Sequence, residues 1–392
     1  MTRKIGLSMA SVAVIAMLAV AGCGKKEEEQ QSSTATTNTQ ATTTNTTTTE
    51  PAPATTPAPT QEAAKQPDAP APAGGELHIY NWGDYTNPKL IEKFEKQFNV
   101  KVTLDSYDSN EVMLAKVREG NTGYDIVVPS DYTVKIMVDD GLLEKTEPSQ
   151  MENFKNVDPK FVNVYWDDGR HYSVPWQFGL TTYAVDTAKY TGPMDSIGLL
   201  FNPPDELKGK INMLDDMNSV IHAAERYVGV PRCSADKADL KKVDDALQAA
   251  KPNWKTFSYD TITKMTSGDV VVTETWNGAA YRMRIAIPTV KFAMTKEVME
   301  GWMDNVAVLK GAKNVENAKL FQNFIMDPEN AALISDFAKY DNGIKGSHKF
   351  LPPEFGDAPE INPPAGTSSE FVPPCPPEVV EIYNKIWTNL KK

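Results

Sequence analysis

Apolar and polar positions alternate along the chain in two different periods after residue 76. GELHIYNW predicts a strand, and Asn87 then caps a helix with Pro88 at its first position and apolar residues on one face. VKVTLDSY predicts the next strand, NEVMLAKVREG the next helix, and the continuous apolar run YDIVVPS a buried parallel strand. Strands and helices in alternation predict an α/β fold.

The same alternation continues towards the C terminus. LKKVDDALQAAKP predicts a helix, GDVVVTETW a strand, and VENAKLFQNFIMD and PENAALISDFAKY two more helices. The last predicted helix begins at Pro377 and carries on one face Val379, Val380, Tyr383, Trp387 and Leu390. Because the segment from Glu76 to Lys392 is large for one hydrophobic core, we expect two lobes.

The N-terminal residues have the composition of an export signal and a tether. Residues 1–22 contain a basic start, an apolar run and a small-residue exit directly before Cys23. AVAGC resembles a bacterial lipobox, in which Cys23 is lipidated and becomes the mature N terminus; a lone membrane span is the alternative, although the apolar run is barely long enough. Residues 27–75 hold no Val, Ile, Leu, Met, Phe, Trp or Tyr, so we expect residues 23–75 to be a disordered tether.

Charge and composition narrow the function classes. The formal net charge of −12 makes nucleic acid an unsuitable partner, while solubility alone explains acidity as well as a cationic ligand does. Cys233 and Cys375 could form a disulfide in an oxidising compartment, but their sequence separation does not decide it. The four histidines show no metal-ligand spacing, and no G-x-S-x-G or P-loop motif is present, so no metal, cofactor or catalysis is predicted.

Aromatic and polar residues follow four of the predicted strands. They are Trp82 and Tyr85, Ser130 and Tyr132, Asp215 and Asp216, and Trp276. Ligands of open parallel sheets bind outside the carboxyl ends of strands, so these residues could line one crevice. Aromatic faces attract cations and cover methylene chains, and buried carboxylates at Asp84, Asp216 and Asp304 would require positive charge from a ligand. Amines joined by aliphatic chains satisfy both requirements.

Six motifs together resemble a known family. YNWGDY, YDIVVPSDY, SVPWQFG, INMLDD, WNGAAY and GWMDNVAVLKGAKNVENAKLFQNFIMDPENA are similar to segments of the spermidine/putrescine-binding proteins of bacterial ABC importers, over about residues 76–340. The resemblance implies a two-lobed periplasmic solute-binding fold of type II, each lobe a mixed sheet flanked by helices, with the ligand cleft between the lobes. It also implies a monomer in the periplasm that binds a polyamine, performs no catalysis and delivers its ligand to an ABC permease in the inner membrane.

The resemblance also implies which residues bind the ligand. Asp304 would grip an ammonium at the cleft centre, beside Trp302. The implied set is Trp82, Asp84, Tyr85, Ser130, Tyr132, Asp216, Trp276, Trp302, Asp304 and Tyr340. Two of these have structural alternatives, because Asp216 could cap the following helix and Tyr132 could pack under its loop.

One departure from the family bears on the ligand. Three residues beyond Asp216 the family usually has a Glu, whereas this chain has Ser219, which makes a diamine, or a ligand with one neutral polar end, more plausible than spermidine. Two other function classes remain open, a ligand sensor that reports to a membrane receptor and an exported hydrolase. The expected organisation is a lipoprotein-type signal peptide (1–22), the tether (23–75), lobe 1 (76–182), lobe 2 (183–303), a return to lobe 1 (304–345), and a Pro-rich segment with a C-terminal helix on lobe 2 (346–392).

Overall fold

Ten strands form one mixed sheet in a computed structural model that describes residues 74–392. The strands are β1 (Glu76–Trp82), β2 (Lys101–Tyr107), β3 (Ile126–Val127), β4 (Ser173–Asp186), β5 (Ile211–Met213), β6 (Trp254–Phe257), β7 (Val272–Trp276), β8 (Val290–Phe292), β9 (Met299–Val308) and β10 (Ser369–Phe371). Their order is β2, β1, β3, β9, β4, β7, β5, β6, with β8 beside β4 and β10 beside β9.

Neighbouring strands are parallel in the two outer parts of the sheet and antiparallel at its centre. On one side β1 runs parallel to β2 and β3, and on the other β5 runs parallel to β6 and β7. The long strands β4 and β9 pair with each other over Ser173–Thr181, and β4 continues along β7 as far as Val185. The hydrogen-bonded ladder therefore runs without a break through β4 and β9, from one half of the sheet to the other.

Twelve helices pack around this sheet in the described residues. They are α1 (Pro88–Phe98), α2 (Asn110–Arg118), α3 (Asp131–Asp139), α4 (Gly198–Phe201), α5 (Met217–Val228), α6 (Lys237–Ala250), α7 (Thr261–Thr266), α8 (Asn277–Ala286), α9 (Val315–Ile325), α10 (Pro328–Ala338), α11 (Pro353–Gly356) and α12 (Pro377–Leu390). Helix α1 has the predicted start, because the Asn87 side chain accepts a hydrogen bond from the backbone N–H of Lys89 at 3.0 Å.

Two large apolar cores pack against the two halves of the sheet, one against the half that contains β1 and β3 and the other against the half that contains β5 and β7. The first includes Phe94 of α1 and Phe321 of α9, whose rings meet edge to face, and the second includes residues of α5, α6 and α12. Helix α12 begins at Pro377 as predicted, but the side chains it buries fully are Val379, Tyr383, Ile386 and Leu390, while Val380 and Trp387 are only partly buried.

The mixed sheet flanked by helices confirms the α/β fold class. The predicted signal peptide, Cys23 and the tether as far as residue 73 lie outside the described residues. Within residues 74–392, no helix combines the length and apolarity that crossing a membrane requires.

Candidate ligand-binding cleft

All ten residues implied to bind ligand line one cavity of about 980 Å³. This volume is in the range that small-molecule sites in proteins occupy. The cavity wall includes the segments that follow β1, β3, β5 and β7, as the strand-end pattern predicted, together with residues of β9 and Tyr340. The structure therefore brings together in space the side chains that the sequence pattern grouped.

Asp304 is a buried carboxylate with no cation from residues 74–392 beside it. It is 5% exposed, and its two oxygens accept hydrogen bonds from the Tyr85 hydroxyl at 2.8 Å and from Ser130 Oγ at 2.7 Å. Burial raises the pKa of Asp304 to about 7, although both hydrogen bonds oppose the shift. No Lys, Arg or His of residues 74–392 lies within 4.0 Å of it, so a ligand cation is the group that would favour its ionised form.

Two residues from other segments position the Asp304 side chain, Ser130 directly and Asn110 through Ser130. Ser130 immediately precedes α3 and forms an isolated bridge with Asp304 of β9. The Asn110 side chain, at the start of α2, donates to Ser130 Oγ at 3.0 Å and accepts from the Ser130 backbone N–H at 3.2 Å. Asn110 thereby fixes the hydroxyl that donates to the carboxylate.

Aromatic rings form much of the cavity wall. The Trp82 indole N–H donates to the carbonyl of Val128 at 2.9 Å, which fixes the plane of its ring. Tyr259 lies parallel to Trp82, with ring centroids 6.2 Å apart and planes 3° from parallel, and its ring is 5.1 Å from that of Trp276. Trp302 meets Tyr340 edge to face at 5.1 Å. Rings so arranged present faces to a cation or to methylene groups.

Tyr340 packs against the start of α8. Its hydroxyl accepts a hydrogen bond from the backbone N–H of Ala279 at 3.2 Å, and its ring lies over Gly278. A Cβ atom at Gly278 would come within 2.5 Å of that ring, so the position requires glycine for this contact.

The expectation that Asp84 is a buried carboxylate without a protein partner is wrong. Its side chain is 64% exposed, and one of its oxygens lies 2.6 Å from an Arg282 guanidinium nitrogen. Asp84 follows β1 with a positive φ of 52°, and the resulting turn directs the chain towards Tyr85. Although Asp84 lines the cavity, Arg282 of α8 already compensates its charge.

Asp216 makes the helix-capping contact that was left open as an alternative, whereas Tyr132 lies in α3 and its hydroxyl bonds to side chains of α2. Asp216 caps α5 by accepting a hydrogen bond from the Ser219 backbone N–H at 2.7 Å, and burial, followed by the nearby Glu111, raises its pKa to about 7. The Tyr132 hydroxyl accepts from Asn110 at 2.9 Å and donates to Glu111 at 3.2 Å. Both residues nevertheless line the cavity, so these contacts do not remove them from a ligand's reach.

The C-terminal segment forms part of the cavity wall and is tied to the loop after α5. Cys233 and Cys375 form a disulfide, with sulfur atoms 2.04 Å apart. Val372, Pro374 and Cys375 are among the lining residues. The sequence alone leaves this disulfide open, because the two cysteines are 142 residues apart in the chain.

Several cavity residues were not predicted. Asp131 lies between two predicted residues; it is buried, it accepts a hydrogen bond from Tyr165 at 2.6 Å, and burial raises its pKa to about 7. Tyr259 comes two residues after β6, so the same strand-end pattern could have found it. Asn110 and Glu111 begin a helix, and the sequence carried no signal that α2 would reach the cavity.

A buried ion cluster lies at the cavity wall beside α5. Glu300 of β9 accepts a hydrogen bond from His222 Nδ1 at 3.1 Å and lies 3.5 Å from Arg226. Burial opposes ionisation of Glu300, but His222, which donates a hydrogen bond to it, and then Arg226 and Arg232 outweigh burial and hold its pKa at about 2. The described residues contain no group of three or more acidic, His or Cys side chains that could hold a metal ion.

A two-core α/β fold with a large cleft lined from both halves of the sheet defines a class, the two-lobed solute-binding proteins. The family model for bacterial extracellular solute-binding proteins matches residues 89–363. The chain belongs to this family.

Named relatives agree with this assignment. The chain is 33% identical over 298 residues to the spermidine/putrescine-binding periplasmic protein of Escherichia coli, which covers 74% of this chain and 84% of the relative. It is 30% identical to the putrescine-binding periplasmic protein SpuD of Pseudomonas aeruginosa, covering 80% and 91%. The solved structure of the PotD lipoprotein of Treponema pallidum superposes with a TM-score of 0.70 at 27% identity, covering 80% and 99%. These relatives are binding proteins, which confirms the prediction of a non-enzymatic protein and favours neither the sensor nor the hydrolase.

Proposed function

We propose that this chain is a periplasmic solute-binding protein that captures a linear polyamine of the putrescine/spermidine class and delivers it to an ABC permease. The observation that carries the proposal is Asp304, a buried carboxylate with two hydrogen-bond donors, no protein cation within 4.0 Å in residues 74–392, and aromatic rings around it. An alkylammonium supplies the missing charge, and its methylene chain suits the ring faces. The names of the relatives support the same ligand class.

The ligand is held by residues on both sides of the cleft. Trp82 and Ser130 come from one side of the sheet, and Tyr259 and Trp276 come from the other. A ligand that contacts both sides stabilises the closed form over the open form, because only the closed form makes all of these contacts. We place the lobe boundaries at residues 182/183 and 303/304, within β4 and β9, and the protein acts as a monomer. Small-angle scattering tests this closure, since the radius of gyration decreases when putrescine binds.

The protein is anchored to the membrane by lipid at Cys23, with residues 24–75 as the tether that separates the lobes from the bilayer. The lipobox-like sequence AVAGC supports the anchor, and the PotD relative from Treponema pallidum is a lipoprotein.

Calorimetric titration of the purified protein with putrescine, cadaverine, spermidine and spermine tests the ligand class. Binding to at least one of them is expected, and micromolar affinity corresponds to about 8 kcal/mol. Asp304→Asn keeps the shape of the side chain and removes its charge, so it should weaken binding at least roughly tenfold. Asp245→Asn, which changes an exposed carboxylate of α6 outside the cavity, is the matched control and should bind like the unmodified protein.

Two results would count against the proposal in different ways. If none of the four amines gives heat or a thermal shift, the ligand class is wrong. If Asp304→Asn binds as well as the unmodified protein, an amine binds but Asp304 is not its main anion.

A further inference from the structure

Three arginines line the cavity within the described residues: Arg118, Arg232 and Arg282. Two of them are neutralised, since Arg118 lies 2.7 Å from Asp140 and Arg282 lies 2.6 Å from Asp84. Arg232 differs, because no carboxylate of residues 74–392 lies within 4.0 Å of its guanidinium. A cation without a close anion is therefore part of the wall of a cavity that we propose to bind cations.

Neutral groups hold Arg232 in place. Its Nε donates to His222 Nε2 at 3.2 Å, and its Nη1 donates to the backbone carbonyl of Pro373 at 2.8 Å. Because a guanidinium nitrogen can only donate, His222 Nε2 must be an acceptor, and the proton lies on Nδ1, which donates to Glu300. Burial lowers the pKa of His222, in agreement with a neutral ring. The adjacent disulfide from Cys233 to Cys375 ties this loop to the C-terminal segment that carries Pro373.

The acids nearest to Arg232 already have other partners. Glu300 has one negative charge for two arginines, since Arg226 lies 3.5 Å from it and the more distant Arg232 also lowers its pKa. Glu225 accepts a hydrogen bond from the Tyr383 hydroxyl, and burial raises its pKa to about 7, so it is only partly ionised at neutral pH. The positive charge of Arg232 is therefore not cancelled locally by a dedicated carboxylate.

The cavity wall thus contains carboxylates that attract a cationic ligand and a guanidinium, that of Arg232, that repels one. A diamine satisfies Asp304 and one further acid of the wall, Asp131 or Asp216, neither of which has a protein cation within 4.0 Å in residues 74–392. A third ammonium would have to pair with the other of these two acids, and both lie near Glu300, the carboxylate that is also near Arg232. A third ammonium brings additional positive charge into a partly dehydrated space that already holds Arg232. Like charges a few ångströms apart in such surroundings repel strongly enough to change affinity about tenfold.

We propose that Arg232 is a specificity-determining residue that restricts this cavity to short amines with one or two ammonium groups and disfavours triamines and tetraamines. The inference rests on the proposed function and names the members of the polyamine class that the site selects. It also assigns a role to the disulfide-linked loop, which positions the guanidinium at the cavity wall.

Calorimetry on the full chain and on two variants tests the role of Arg232. The unmodified protein should bind putrescine more tightly than spermidine. Arg232→Met, which keeps an unbranched apolar side chain and removes the charge, should shift the affinity ratio about tenfold towards spermidine. Arg232→Lys is the matched control, and it should keep the preference for putrescine because it keeps the charge.

A second measurement needs no variant. Acetylation of one terminal nitrogen of spermidine removes one positive charge, so at least one of its two monoacetyl derivatives should bind the unmodified protein as tightly as spermidine or more tightly.

The outcomes separate the two proposals. If the amines bind but Arg232→Met leaves the ratio within about twofold, or if both acetylated forms bind more than tenfold more weakly than spermidine, the role of Arg232 is wrong and the amine-binding function stands. If no amine binds the unmodified protein, both proposals fall.

Discussion

The side chain of Asp304 illustrates how a single residue can be set for a cationic ligand. Burial makes ionisation of the carboxyl unfavourable, and its two hydroxyl donors compensate only in part. The Tyr85 hydroxyl keeps its proton, since burial and then Asp304 raise its pKa well above the usual range, so it remains a donor. The site is thus hydrogen-bonded in advance and still lacks one positive charge.

Amine binding should therefore release protons. Asp304 has a pKa of about 7 without ligand, and a bound ammonium favours its ionised form, so affinity should fall as the pH drops below about 7 and level off above it. Titration with putrescine at about pH 6.5 in two buffers of different ionisation enthalpy measures the release.

Asp304→Asn is the control for this linkage. It should reduce proton release but not abolish it, because burial also raises the pKa values of Asp131 and Asp216 to about 7. Equal binding heats in the two buffers for the unmodified protein would contradict the linkage.

At the level of elements, the ends of the strands supply the aromatic wall. Tyr259 follows β6 and lies parallel to Trp82. Trp82 is the last residue of β1, which lies in the other half of the sheet. Two parallel rings from opposite sides of a cleft can cover a methylene chain on both faces. On the proposed closure, this contact between the two rings forms only in the closed protein.

Tyr259→Ala should weaken putrescine binding about five- to tenfold, because it removes one ring face from the wall. Tyr259→Phe keeps the ring and should retain most of the affinity. Calorimetry measures both, and Tyr227→Ala, an exposed tyrosine of α5 outside the cavity, is the control for a general effect of losing an aromatic side chain. Loss of binding in the control, or none in Tyr259→Ala, would refute this role.

Sequence patterns predicted the elements with local signals well. Asn87 with Pro88 marked α1, and Pro377 marked α12, because caps and proline positions act over a few residues. The strand-end pattern found Trp82, Ser130 and Trp276, since the end of a strand is visible in the sequence. Contacts between distant segments were not predictable in this way.

Three residues illustrate that limit. Arg282 neutralises Asp84 across 198 residues, a distance over which spacing carries no information. Arg232 is held at the cavity by contacts with distant segments, since Cys233 is bonded to Cys375 and the Arg232 guanidinium donates to the Pro373 carbonyl. Asn110 acts on Asp304 only through Ser130, so its own sequence position indicates an ordinary helix start.

For the whole molecule, the proposed lipid anchor at Cys23 predicts that the protein is held at a membrane. Tritiated palmitate should label the unmodified protein and not Cys23→Ala, because acylation requires the thiol, and the variant should leave the membrane fraction. Putrescine binding should be the same in both, since the first residue of the cavity wall is Trp82, far beyond Cys23 in the sequence. Equal labelling of the two proteins, or none in either, would contradict the anchor.

The long strands β4 and β9 suggest how ligand binding in the cleft could change the surface that a permease contacts. Asp304 and Trp302 belong to β9, and Gly179 of β4 lies opposite Trp302 in the pairing. On the proposed closure the amine is held close to the axis about which the lobes turn. A small rotation of the lobes about this axis produces a larger displacement at their outer surfaces, because displacement grows with distance from the axis. A permease that grips those surfaces could thus distinguish a loaded protein from an empty one without touching the cargo.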